Sequence, residues 1–462
     1  MTLRAAFGTL DYTPKPGIPF GRLSHHTLLA EGVHSPLTAR LALFADDDTL
    51  LGLLALDQSR IRQREATDLR QALGKALNVS PRNFLVSATH THNAPGLSPW
   101  RPNDTGYTLL DKLCGQVAQL GAQLHGNLQA VSLHWARGTV AGLIHNRRSV
   151  YRQSDGREQV GTHGPRQHPD FIRAEDEDES ELRLVLARRA DGSLAGGLVH
   201  APCHATTMYS VPSFSADYPG VLRDRLQERL GGEFLFLNGF AGDQSPTAAG
   251  NSPAEACAQF GNSLAAEALR AAGATEEIPM NAGVGVISKH VALRLRIPSA
   301  AQAAYAWQHL ERVLRGERPG PICAALYGYA YHFHHDSERV DDWLAREIIG
   351  RWELLRRGEA REPRESVEIQ ILRLGELAIA GFPGEPFACF GRQLRRESPL
   401  KRILSVEQAN GSAGYLPSAD AFKRGGYECC LAQQSRFEPH AGAKLTRTAL
   451  RLLQKFAGQP KN

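Results

Sequence analysis

Apolar residues recur along this chain at two spacings, one suited to strands and one to helices. Thr38–Phe44 and Leu50–Leu56 are nearly continuous apolar runs on either side of Asp46-Asp47-Asp48, which predicts a hairpin. Leu69, Leu73 and Leu77 follow at helical spacing. Asn83–Ala88 reads as a strand running into His90-Thr91-His92. Thr108–His125 carries Leu110, Leu113, Val117, Leu120 and Leu124 on one helical face, and Val131–Ala136 reads as a strand. Further strands are expected at Leu182–Leu186, Leu198–Pro202 and Phe234–Leu237, with a second hairpin over Val367–Arg373 and Leu377–Phe382 around Gly375. Helices are expected at Gly220–Leu230, Pro253–Arg270, Ala300–Leu314, Asp341–Arg356 and Lys444–Phe456. The last carries Lys444, Arg447, Arg451 and Lys455 opposite its leucines, the pattern of a helix packed on a core with a charged outer face. Tyr151–Glu181 is polar and charged, and predicts a long surface loop of the kind that forms lids. Strands and helices mixed in this way predict an α/β fold of mixed β-sheets flanked by helices.

Composition narrows the class. Hydrophobic residues make up 42% and charged residues 22% of 462 residues, enough for a sizeable core. Lys+Arg 53 against Asp+Glu 48 leaves +5, spread too thinly to mark a nucleic-acid track. No apolar run is long enough to span a membrane, and the first residues meet Asp11 and Pro14 without an uninterrupted apolar segment. The seven cysteines (Cys114, Cys203, Cys257, Cys323, Cys389, Cys429, Cys430) form no CxxC pair, which suits reduced thiols in the cytoplasm. The 18 histidines are the stronger lead to chemistry.

Five clusters sit at the ends of strand-like runs, beside Gly or Pro, where α/β folds place reactive side chains. Ser87–Gly96 offers His90 and His92, which point to one side of an extended chain and suit a metal, or else decorate an exposed turn. Leu198–Met208 offers His200 and His204, either of which could be a core histidine bonded to backbone. Leu235–Pro246 ends in a Gly-rich turn with Asp243 and Ser245, without the Gly-x-Ser-x-Gly elbow. Ala378–Pro386 places Glu385 as a metal ligand or a helix N-terminal partner. Gln408–Pro417 and Gly425–Glu428 bring Tyr415 and Tyr427 in Gly-rich loops. Asp57 closes the Leu50–Leu56 strand as a partner for a metal-binding histidine or as a turn residue.

Taken in order, these motifs resemble the catalytic domain of the neutral/alkaline, non-lysosomal ceramidases and their short bacterial relatives. The resemblance runs through Gly8–Pro14, Thr89–Gly96, Asn146-Arg147, His204–Met208, Gly242–Pro246, Pro383–Glu385 and the two tyrosines. It implies a zinc site of His90, His204, Glu385 and Tyr415, with His92, Arg147, Ser245 and Tyr427 around the scissile amide. It departs from the family at Asn146-Arg147-Arg148-Ser149 and at Asn93-Ala94. Residues 1–462 then read as one zinc-hydrolase catalytic domain, without the C-terminal β-sandwich or secretory signal of lipid-acting members.

The expected activity is zinc-dependent hydrolysis of a linear N-acyl amide, with His92 as general base and acid. Arg147 and Tyr427 would face the oxyanion or the substrate head. Ser245 is either a nucleophile or a positioning hydroxyl, and zinc-activated water is preferred as the attacking group. The substrate would be ceramide, another N-acyl lipid, or a soluble amide, ester or lactone. A non-catalytic metal-binding protein is the remaining alternative. No nucleic acid and no stable membrane insertion are expected. A rival His-x-His lies at His332-Phe333-His334, followed by His335, and His25-His26 reads as a rim feature.

Overall fold

The Leu50–Leu56 strand shows why this chain folds as it does. Leu50, Leu54 and Leu56 enter one apolar cluster, while Leu51, Leu53 and Ala55 enter another on the opposite face. A strand covered on both faces reads as an unbroken apolar run rather than an alternating one. A computed structural model describes residues 2–21, 28–98, 106–320, 322, 326, 337–356 and 362–457. The rival His332-Phe333-His334-His335 and the His25-His26 pair lie outside these residues.

Three sheets share a central apolar core. The first runs Phe84–Ala88, Leu50–Leu56, Thr38–Ala45, Arg4–Asp11 and Gln129–Ala130. The second runs Glu233–Asn238, Leu194–Ala201, Glu181–Arg188, Ser132–Thr139 and Glu276–Glu277. The third runs Val284–Arg294, Arg364–Leu374, Leu377–Gly381 and Arg402–Val406. Phe44, Leu53 and Leu85 of the first meet Val185, Leu198 and Leu235 of the second and Leu372, Ile379 and Leu404 of the third. Each outer face carries a helix pair: Gln63–Leu77 with Gly106–Gly126, Asp217–Leu230 with Pro253–Ala272, and Ala388–Glu397 with Ala441–Ala457. The last helix buries Leu445, Ala449, Leu452, Leu453 and Phe456 against the third sheet, so its apolar face serves the core.

Each sheet is mainly antiparallel but contains one parallel pair: Leu50–Leu56 with Phe84–Ala88, Leu194–Ala201 with Glu233–Asn238, and Leu377–Gly381 with Arg402–Val406. The C-terminal ends of a parallel pair emerge together, which makes that edge a natural place for a site. The sheets are tied to one another there. Ala88 donates its backbone N–H to the Gln408 carbonyl, and Glu407 donates to that of Asn238.

The 151–181 stretch differs from its expected loop. Arg148–Arg152, Glu158–Thr162 and Phe171–Ala174 form a three-stranded antiparallel sheet. Its polarity concealed it: Val150 and Val160 are buried, but Arg152, Glu158 and Arg173 are exposed, and Gly156 turns the hairpin at φ 83°. Asp57 is more than a turn residue, and among the described residues it is not bonded directly to a histidine. Its buried carboxylate accepts from both terminal nitrogens of Arg223 (2.9 and 2.8 Å), from the backbone and hydroxyl of Thr38, and from Thr89.

Candidate metal centre

Three chain segments leave three sheets and converge. Phe84–Ala88 delivers His90 and His92, Leu194–Ala201 delivers His204, and Leu377–Gly381 delivers Glu385. His90 sits at φ 70°, a left-handed conformation that costs a non-glycine residue roughly 1 kcal/mol or more. Its backbone N–H donates to the Gln58 carbonyl (2.9 Å) and its Nδ1 to the Ser59 carbonyl (2.5 Å). His204 donates from Nδ1 to the Gln244 carbonyl (3.0 Å). A carbonyl can only accept, so both Nδ1 atoms carry a proton, and each ring turns Nε2 inward.

Those two Nε2 atoms face one oxygen. His90 Nε2 lies 3.5 Å and His204 Nε2 3.3 Å from Glu385 Oε2, and all three atoms are buried without a hydrogen-bond partner among the described residues. Two imidazole nitrogens and a carboxylate oxygen at this spacing need a cation among them, either a shared proton or a metal ion. Donors held roughly 2.0–2.1 Å from a tetrahedral zinc ion stand about 3.4 Å apart, so these spacings fit the ion. His92 joins from the more open side: ligand nitrogens of His90, His92 and His204 lie within 4.8 Å of one another, a group that could hold a metal ion.

Charge follows the same geometry. Burial would raise the Glu385 carboxyl, but the neighbouring imidazoles outweigh it and hold it well below the usual range. Burial pushes His90 down, Glu385 outweighs that, and the net shift is upward. His204 is pushed down to about 4 by burial, with Arg147 and His90 adding to it.

Tyr415 stands beside Glu385 in a short parallel ladder, with its ring stacked over His204 at 6.4 Å. Its hydroxyl accepts from Arg147 Nη2 (3.1 Å). The second Nη2 hydrogen goes to the Gly242 carbonyl (2.9 Å), and Nε donates to Glu428 (2.9 Å). Arg147 therefore spends three of its five N–H donors on fixed partners in the protein, one of them the Tyr415 hydroxyl. Tyr427 packs edge-on against Tyr415 at 5.6 Å. Ser245 is buried in the pair Gln244–Pro246 with Ile144–Asn146, opposite His145, and its hydroxyl has no hydrogen-bond partner among the described residues.

Two acids and an amide support the site in roles that no motif marks. Glu428 also binds Arg148 and Thr162, and the two arginines outweigh its burial and hold it down to about 2. Asp243 accepts from Asn146 and from the backbone N–H of Ala388, the first residue of a helix. Gln408 touches Glu385 itself. No spacing rule flags such partners, because each lies far from its target in sequence.

His200 takes its core role: it donates from Nε2 to the Ser405 carbonyl (2.9 Å), and burial lowers its pKa to about 3. A base depressed in the folded state adds stability above its unfolded pKa of about 6.5, and that contribution is lost as pH falls towards about 3, at up to about 1.4 kcal/mol per pH unit. His200→Gln keeps a donor and removes the titration. Urea unfolding from pH 6.5 to 3 is expected to show the variant losing stability less steeply than the wild type.

No family model matches the chain, and no curated protein matches it in sequence. Solved structures do match in shape. Neutral ceramidase from Pseudomonas aeruginosa superposes with a TM-score of 0.71 at 18% identity, over 100% of this chain and 76% of that one. A ceramidase complexed with C2 superposes with a TM-score of 0.69 at 17% identity, again over 100% and 76%. The chain thus has the mixed α/β fold of the neutral ceramidases, and the converging histidines lie within it.

Proposed function

We propose that this protein is a zinc-dependent, ceramidase-like amidohydrolase that cleaves a linear N-acyl amide. The observation that carries the reading is the meeting of His90 Nε2, His204 Nε2 and Glu385 Oε2 inside this fold. These three, with Tyr415, would hold the ion. When bound, a zinc ion would acidify a water so that it can be deprotonated for attack at neutral pH.

The remaining roles belong to the chain. His92 takes the proton of the attacking water at an imidazole nitrogen and returns it to the leaving amine nitrogen, the work of a general base and acid. Arg147 holds the Tyr415 hydroxyl and reaches the substrate's polar head through Nη1. Tyr427 donates its hydroxyl hydrogen to the developing oxyanion. Ser245 positions the substrate: His145, across the ladder, bonds instead to Thr247 (3.0 Å), so among the described residues no base is bonded to the Ser245 hydroxyl. The whole chain acts as one catalytic unit, since its ligands come from all three sheets. No described helix is long and apolar enough to cross a membrane. The six described cysteines are all free, which suits a cytoplasmic enzyme.

The test is metal analysis followed by turnover. We expect one zinc per chain, and hydrolysis of an N-acyl sphingosine or a short soluble N-acyl amine that chelation abolishes and zinc restores. Faster turnover of the soluble amide would place the substrate outside the membrane lipids. Protein that binds no zinc and cleaves neither compound would refute the proposal.

A further inference from the structure

Gln408 is fully buried and carries two local costs. Its φ is 48°, in the left-handed region that Asn tolerates better than Gln. Its Oε1 is buried with no hydrogen-bond partner among the described residues. Costs of this kind persist where a residue has work to do.

Its contacts show where the work is. The side-chain Nε2 donates to Glu385 Oε1 at 3.1 Å. The amide orientation follows from chemistry, because a carboxylate oxygen here can only accept. The Gln408 backbone N–H donates to the Gly384 carbonyl (2.9 Å), and its carbonyl accepts from Ala88 (3.3 Å). One residue therefore grips the Glu385 turn by side chain and backbone, and holds the end of the strand that delivers His90. Gly384 itself leaves no space for adjustment: at φ 81°, an added Cβ would lie 2.3 Å from the Gly414 carbonyl oxygen.

We infer that Gln408 is a positioning residue that occupies Glu385 Oε1, so that the carboxylate presents Oε2 alone to the metal. The inference rests on the zinc reading above. It explains why Gln stands at a left-handed position two residues before Asn410, which has φ 57°. Asn would suit the backbone, but it is one methylene too short to reach Glu385. Partners that orient a metal ligand typically contribute about 10–100-fold in metal affinity.

The experiment compares wild type, Gln408→Met and Gln408→Asn as full-length proteins. Zinc affinity is measured by chelator competition, metal-free thermal stability by calorimetry, and coordination by the visible spectrum of the cobalt(II)-substituted protein. Both variants should bind zinc about 10–100-fold more weakly. They should also show weaker cobalt bands, as a second carboxylate oxygen raises the coordination number. Gln408→Asn should keep the wild-type metal-free melting temperature, which secures the test if Gln408→Met fails to fold. Wild-type zinc affinity and cobalt spectrum in Gln408→Asn would overturn the inference. Wild-type protein that binds neither metal would instead overturn the zinc reading.

Discussion

His204→Ala is expected to leave the protein folded and almost free of zinc after dialysis, with amide hydrolysis reduced to that of the metal-free wild type. His204 is buried, and its ring is held by the Gln244 carbonyl so that Nε2 faces Glu385 at 3.3 Å. Its removal deletes one donor of the set and leaves Glu385 beside His90 alone. His92→Ala is the matched control. His92 lies on the more open side of the group, in ring contact with His90 at 4.9 Å and Tyr209 at 5.6 Å. That variant should retain zinc and lose about 10²–10⁴-fold in kcat, the usual contribution of a general base. Metal content by mass spectrometry and kcat on the same samples separate the two roles. If His92→Ala loses zinc while His204→Ala keeps it, the assignment is reversed.

The largest effect on stability is expected from Arg223→Met. The guanidinium of Arg223 forms a two-pronged pair with Asp57, and both are almost fully buried. Methionine fills similar space and strands a buried carboxylate. Breaking a buried pair from one side costs about 3–5 kcal/mol, measurable as a fall in the free energy of urea unfolding. Adding Asp57→Asn to the same chain should recover part of the loss, because the stranded charge is gone while the amide oxygen still accepts from Thr38 and the amide NH2 can donate to the Thr89 hydroxyl. An unchanged unfolding free energy in Arg223→Met would show that the pair has no structural role.

Much of the fold was legible where burial was complete. Leu50–Leu56 is apolar at every position because both faces are covered, and the leucines of Gln63–Leu77 repeat because one face is. Strands with only partly buried faces were not legible. Arg4–Asp11 and Val284–Arg294 mix exposed and buried positions, so neither stood out from its surroundings. Glu158–Thr162 was hidden in the same way by its charged neighbours. In the candidate site, His90, His204 and Glu385 were visible as strand-end residues, but their approach to one another follows from how three sheets pack. The work of Gln408 and Glu428 was illegible because each acts on a residue far away in the chain.

The origin of the ligands in three sheets also bears on how the protein acquires its function during folding. Pairing within one sheet can form early. The meeting of His90, His204 and Glu385 must wait until all three sheets have docked and the long loops between them are closed. An ion that binds this arrangement and not the unfolded chain draws the equilibrium towards the docked state, by about 2.7 kcal/mol at a hundred times its dissociation constant. The metal would then act as a clasp on tertiary structure as well as a reagent. A fragment carrying any one sheet would hold one arm of the site and could not close it.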